Sequence, residues 1–283
     1  MIHHSYHRLL IKERRHTMRL RNITKSCLAT TLAMAALSTM KEARAQAFNP
    51  NNPTASGYTL VFNSQFSGPT LPTTQWSTGW AWSQGSGLNS AYPNDEGLPS
   101  NITFQNGAMN LAATKGPTPS GKAYGTAVIT SYRKFSQTYG YWQASIQFPT
   151  NAHGIWPAFW LVPTNFSWPP EIDIMEWLGV LPNTDYMTLH YGARNSQTGC
   201  TYASSGLDAG FHTLGLLWTK TSVTWYVDGV QECSSTAKNS IPQQPMYIIL
   251  NIDTGGWNNN IVDSTTVFPA LLKVANVQVY KAP

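Results

Sequence analysis

The chain has 283 residues, 42% of them hydrophobic, 12% aromatic and only 11% charged. Its formal charge of +5 is misleading, because nine of the 18 Lys and Arg but only two of the 13 Asp and Glu lie in residues 1–45; without that segment the balance is about −2. No basic cluster then remains to contact phosphates, which excludes a nucleic-acid partner.

Residues 1–45 read as a secretory signal. A basic stretch up to Lys25 precedes an uncharged Ala/Leu/Thr/Met-rich run, Ser26 to Met40, too short to span a bilayer comfortably. Small residues at cleavage spacing, Ala43-Arg44-Ala45 and Ala45-Gln46-Ala47, end it, and Met18 offers a second start. Removal would leave a secreted or periplasmic protein with no membrane contact; a retained signal anchor is the alternative. Residues 46–57 form a polar Pro/Asn-rich lead-in.

From Tyr58 to Tyr280 the pattern is short β runs between turn residues. Asn106-Gly107 lies between Ile102-Thr103-Phe104 and Met109-Asn110-Leu111, and Asp228-Gly229 between Trp225-Tyr226-Val227 and Val230-Gln231. Both read as tight hairpins. Nowhere do apolar residues keep a helical period over three turns, so residues 58–283 are expected to be one all-β domain, sandwich or barrel. Cys200 and Cys233, an even pair in an exported chain, predict a disulfide. No Cys/His set has metal-ligand spacing, so neither a metal nor a cofactor is expected.

The most informative stretch is Glu171-Ile172-Asp173-Ile174-Met175-Glu176, after Pro169-Pro170. β-branched Ile172 and Ile174 favour an extended strand. Alternation would put Glu171 and Asp173 on one face, but would send Glu176 into the core with Ile172 and Ile174. A β-bulge near Ile174-Met175 returns Glu176 to the acidic face. Three carboxylates crowded on one surface cannot all ionise freely, which suits a paired nucleophile and general acid. A solvated acidic strand edge is the plainer alternative.

This stretch resembles the active-site strand of glycoside hydrolase family 16 in its bulged form, typical of laminarinases; the unbulged form, typical of lichenases, has one residue fewer between the Asp and the second Glu. The resemblance continues in order through Tyr139-Gly140-Tyr141-Trp142, Gly154 to Leu161, Leu189-His190, Phe211-His212-Thr213, Asn251 with Gly255-Gly256, and Val277 to Tyr280. It implies a β-jelly roll, two curved antiparallel sheets with the substrate cleft on the concave face. It further implies Glu171 as nucleophile, Asp173 as its hydrogen-bonding neighbour and Glu176 as acid/base.

Trp156 and Trp160 share strand parity, with Phe159 on the opposite face, so both indoles would line the cleft and stack on sugar rings. Trp82 and Trp257, in Gly/Ser/Asn-rich stretches, are candidate loop-borne sugar contacts, whereas Trp177 should point to the core. His190 and Asn251 resemble a family histidine beside the catalytic strand and a cleft amide. Two positions depart from the family. Gln143 and Ser145 replace a charged Glu-x-Arg pair that binds substrate, and Ala275 replaces an aspartate that helps hold a structural calcium, so that ion is not expected. The expected function is an endo-acting, retaining hydrolysis of β-1,3 or mixed β-1,3/1,4-glucan by a monomer. Action on another polysaccharide, transglycosylation, and a non-catalytic carbohydrate-binding sandwich are the alternatives.

Overall fold

The computed structural model describes residues 47–92, 94–236 and 239–283, so the segment read as a targeting signal, with Cys27, lies outside the described residues. Among the described residues sixteen strands form. They begin with β1 (Thr59–Gln65), β2 (Ser77–Thr78), β3 (Asp95–Gly97), β4 (Ile102–Gln105) and β5 (Ala108–Lys115). Then follow β6 (Tyr124–Thr130), β7 (Gly140–Gln147), β8 (Ile155–Pro163), β9 (Glu171–Trp177), β10 (Thr184–Tyr191) and β11 (Ser196–Ala203). The last are β12 (Phe211–Trp218), β13 (Val223–Val227), β14 (Val230–Ser235), β15 (Met246–Thr254) and β16 (Ala270–Lys281).

One layer runs β11-β10-β9-β8-β15-β6 and the other β5-β16-β7-β12-β13-β14, joined where β5 pairs with β6 at Thr114↔Gly125 and Lys115↔Tyr124. Pairing is antiparallel except for the short β3–β6 contact. This is the jelly-roll arrangement expected from the sequence. The hairpin signals form as read: Asn106 and Gly107 have φ 55° and 77°, and Asp228 and Gly229 have φ 49° and 76°. Two successive positive φ values are what a two-residue turn matched to strand twist requires.

Strand periodicity decides what fills the space between the layers. On β7, Trp142, Ala144 and Ile146 are buried while Gln143, Ser145 and Gln147 are only partly so. β15 is buried along its whole length, because both its faces are covered. Ile248, Leu250 and Ile252 enter the main core, whereas Tyr247 and Ile249 pack with Trp80, Ala158 and Trp160 on the other side. The lead-in is packed too: Phe48 lies against Tyr58, Tyr141 and Tyr226, with ring centroids 4.8 to 6.0 Å apart.

Cys200 on β11 and Cys233 on β14 are disulfide-bonded, 33 residues apart in sequence. These are the end strands of the continuous sheet path, so the bond ties its two free ends together. Closing a loop of that length stabilises by roughly 3–4 kcal/mol on the chain-entropy model. Replacing both cysteines with serine should lower the free energy of unfolding by that order in urea titrations; an unchanged midpoint would show that strand packing alone closes the sandwich.

Candidate active site

The site is set by an irregularity in β9. Opposite it on β8, Ala158 faces Glu176, Phe159 faces Met175 and Trp160 faces Asp173, leaving Ile174 without a partner. On the other side Tyr186 faces Glu176 and Thr188 faces Asp173. Ile174 is thus the extra residue of a bulge, at the position the hydrophobic pattern required. Ile172, Ile174, Met175 and Trp177 all enter the core, and Glu171, Asp173 and Glu176 line one cleft on the other face. A bulge disrupts the backbone ladder, and the Asp173 carbonyl beside it is capped from the opposite layer by the Trp225 indole, at 2.8 Å.

The cleft has a volume of about 1050 Å³. It brings together every proposed cleft residue: Trp82, Trp156, Trp160, Glu171, Asp173, Glu176, His190, Asn251 and Trp257 all border it. Trp156 donates its indole N–H to Glu176 Oε1 at 3.2 Å. Trp160 does not stand free: its indole N–H donates to Asn251 Oδ1 at 2.7 Å. His190 Nε2 lies 3.1 Å from Asp173 Oδ2 and 3.5 Å from Glu171 Oε1. Its Nδ1 is 3.0 Å from Asn195 Oδ1 and 3.2 Å from the Gln197 amide nitrogen. One atom each of Glu171, Asp173 and His190 fall within 4.8 Å of one another. Trp82 stacks on Trp80 at 5.0 Å, and Trp257 meets Tyr186 edge-on at 4.6 Å.

Burial shapes the electrostatics. Desolvation, followed by the Asp173 charge, pushes Glu171 well up, against the His190 side chain and the Trp168 hydrogen bond. Asp173 is pushed well up by desolvation and then by Glu176. Glu176 is raised by desolvation, opposed by His190, Trp257 and Trp156. All three thus favour the protonated form more than an exposed carboxyl would. Beneath them, Asp185 is fully buried opposite Trp177 and is driven well up by desolvation and the Glu176 charge, against the backbone N–H groups of Glu176 and Tyr186.

Several cleft residues escaped the sequence reading. Trp168, 56% exposed, donates its indole N–H to Glu171 Oε2 at 3.0 Å; its place three residues before Glu171 was the available signal. Tyr92 sits in an Asn/Ser-rich loop like that of Trp82, and packs edge-on against Trp156 at 5.5 Å. Tyr186 and Thr188 share the parity of His190 on β10, and all three border the cleft. One inference needs correction. Gln143 and Ser145 are not cleft residues; they lie on the outward face of β7 in the other layer, where Gln143 donates to Gln278 Oε1 at 2.7 Å. The charge missing there is not missing from the cleft. His212 pairs with Asp228 at 2.7 Å, and His153 Nδ1 lies 3.0 Å from the Ile261 carbonyl, both away from the cleft.

A family model for glycosyl hydrolases family 16 matches residues 94–267. The chain belongs to that family. Within it, the chain is 38% identical over 137 residues to an endo-1,3-1,4-beta-glycanase, ExsH, of Rhizobium meliloti, covering 48% of this chain and 29% of that protein. It is 28% identical over 270 residues to glucan endo-1,3-beta-glucosidase A1 of Niallia circulans, covering 82% and 39% respectively. The family 16 chain thus spans about a third of the length of these curated relatives. Among solved structures, it superposes on the laminarinase catalytic domain of Thermotoga maritima with a TM-score of 0.70 at 27% identity, covering 80% of this chain and 99% of that one.

These raised carboxyls give the family 16 fold a pH signature. Asp95, buried beside Thr254, is raised from 3.8 to about 6 by desolvation, and Glu171, Asp173, Glu176, Asp185 and Asp253 are raised as well. Each binds its proton more tightly in the folded chain, so the native state holds more protons than the unfolded one. Stability must therefore fall as pH rises through the window from the ordinary carboxylate range to the raised values. Calorimetry from about pH 5 to about pH 8 should show Tm decreasing; a Tm that rises across that window would contradict these shifts.

Proposed function

We propose that the chain is an exported, endo-acting, retaining glycoside hydrolase that cuts β-1,3 or mixed β-1,3/1,4-glucan within the polymer, acting as a monomer. The observation that carries this reading is the bulge at Ile174, which sets Glu176 beside Glu171 and Asp173 in a cleft walled by Trp82, Trp156, Trp160, Trp168 and Trp257. Names given to the relatives, endo-1,3-1,4-beta-glycanase and glucan endo-1,3-beta-glucosidase, point to the same substrate class. Indoles beside carboxylates, as Trp156 with Glu176 and Trp168 with Glu171, suit a sugar chain lying along the cleft.

In this mechanism Glu176 gives its proton to the glycosidic oxygen while the Glu171 carboxylate attacks the anomeric carbon. The C–O bond breaks, and the leaving fragment departs as an alcohol. Glu176, now ionised, takes a proton from water, which attacks the same carbon and releases Glu171. Asp173 orients Glu171, with which it shares a side-chain hydrogen bond. Glu171 stands higher on the pKa scale than a resting anion would. The indole N–H of Trp168 and the His190 side chain favour its charged form. The division of roles follows the order of acids along the strand, which resembles that of the family.

Reducing-end release from laminarin, lichenan and an agar panel tests the reading. Activity confined to agar would overturn the β-glucan assignment. Glu176→Gln should lower kcat by about 10²–10⁴-fold while the sandwich stays folded. Glu171→Gln should remove turnover as completely. Near-normal activity in either variant refutes its role. Proton NMR of the first products should show the β anomer; an initial α anomer would eliminate the covalent route.

A further inference from the structure

A fourth carboxylate lies buried on the cleft side of β15, behind the residues that line the cleft, without a part in this mechanism. Asp253 on β15 is 1% exposed and stands opposite Trp156 of β8, two residues beyond Asn251, which stands opposite Ala158. Ile252 between them turns into the core, so Asn251 and Asp253 share the cleft side of their strand. Three side chains are linked in series. The Trp160 indole N–H donates to Asn251 Oδ1 at 2.7 Å, and Asn251 Nδ2 donates to Asp253 Oδ2 at 2.5 Å.

Hydrogen-bond polarity makes this series directional. An indole nitrogen can only donate, so the amide must turn its oxygen to Trp160 and its nitrogen to Asp253. Asp253 must then offer an acceptor at that point, and a buried amide without one would be left unsatisfied. Behind Asp253 stands Asp95 of β3, whose Oδ2 accepts from the Thr254 backbone N–H at 2.7 Å and its hydroxyl at 2.8 Å. The other groups acting on Asp253 are Asn251 and Thr126, and its own charge acts on the Tyr92 phenol. Burial and the Asp95 charge push Asp253 well up. A buried carboxyl in such company is unfavourable for stability, and an apolar side chain of like volume would serve the fold better. What the carboxyl supplies is an acceptor in a fixed place.

We propose that Asp253 is a positioning residue: by accepting from Asn251 it locks the amide, and through the amide it holds the Trp160 indole in the orientation that meets a sugar ring. This rests on the reading of the cleft as a glucan site, so it is tested with one readout that needs substrate and one that does not. Asp253→Leu removes the acceptor, and Asp253→Asn keeps one and removes only the charge. In ¹H–¹⁵N spectra the Trp160 indole resonance, assigned by its loss in Trp160→Phe, should shift and exchange faster in Asp253→Leu. The other indoles should hold their positions, and Asp253→Asn should restore the signal. On the glucan the native chain cleaves fastest, Asp253→Leu should raise KM about tenfold, the size of one lost buried hydrogen bond, with kcat changed by less than about twofold. Asp253→Asn should return KM to near the native value. If Asp253→Leu does not fold, the smaller Asp253→Ala is read the same way. The proposal is overturned if the Trp160 resonance does not move, if Asp253→Asn is as damaging as Asp253→Leu, or if kcat falls while KM holds. A native chain that cleaves no β-glucan would refute the glucanase reading, while the spectra would still decide the role of Asp253.

Discussion

One unpaired residue in a central strand governs the chemistry this protein can offer. Ile174 has no partner on β8, and because it is looped out as a bulge Glu176 stays on the face that Glu171 and Asp173 occupy. If all six residues ran as a regular strand with no bulge, alternation would bury Glu176 between the layers. The irregularity is held from both sides. Ile172, Ile174, Met175 and Trp177 fix it below by filling the core. The Trp225 indole, reaching across from β13, satisfies the Asp173 carbonyl at the point where the ladder is disturbed. Packing and hydrogen bonding thus agree on one arrangement of the acids, which is the condition for a preorganised site.

The same arrangement concentrates charge where it is least welcome. Asp95, Glu171, Asp173, Glu176, Asp185 and Asp253 all belong to, or lie against, the cleft layer, and burial raises every one of them. The Lys122 charge partly offsets this at Asp95, and the His190 side chain lies against Glu171 and Asp173. Such a site favours the protonated form that a general acid needs, and gives up stability as pH rises to do so. The large aromatic core and the disulfide joining the sheet ends offset that loss.

Much of this was legible in the sequence because periodicity and turn chemistry are local. The Asn106-Gly107 and Asp228-Gly229 hairpins follow from residues that tolerate positive φ. The bulge follows from a clash between strand parity and the position of Glu176, and Trp156, Trp160 and Phe159 partition between faces as parity requires. What escaped depends on loops and on distant pairing. Trp168 and Tyr92 reach the cleft from irregular segments whose course no period encodes. The placement of Gln143 on the far layer depends on β7 pairing with β16, some 135 residues away in sequence, where Gln278 receives its hydrogen bond. Asp253 escaped for a related reason: read along β15 it is one of three polar residues that end an apolar run, and only pairing with β8 reveals Trp156 opposite and Trp160 at the end of its hydrogen-bond series.

The most direct measurement is the hydrolysis rate of the chain lacking Ile174. Because that residue opposes nothing on β8, its removal leaves Asp173 opposite Trp160, Met175 opposite Phe159 and Glu176 opposite Ala158. The shortened strand then alternates regularly with all three acids still facing the cleft. Activity well above that of Glu176→Gln is expected, with some stability lost because the Ile174 side chain fills core. A shortened chain that folds yet cleaves no faster than Glu176→Gln would contradict the role given to the bulge.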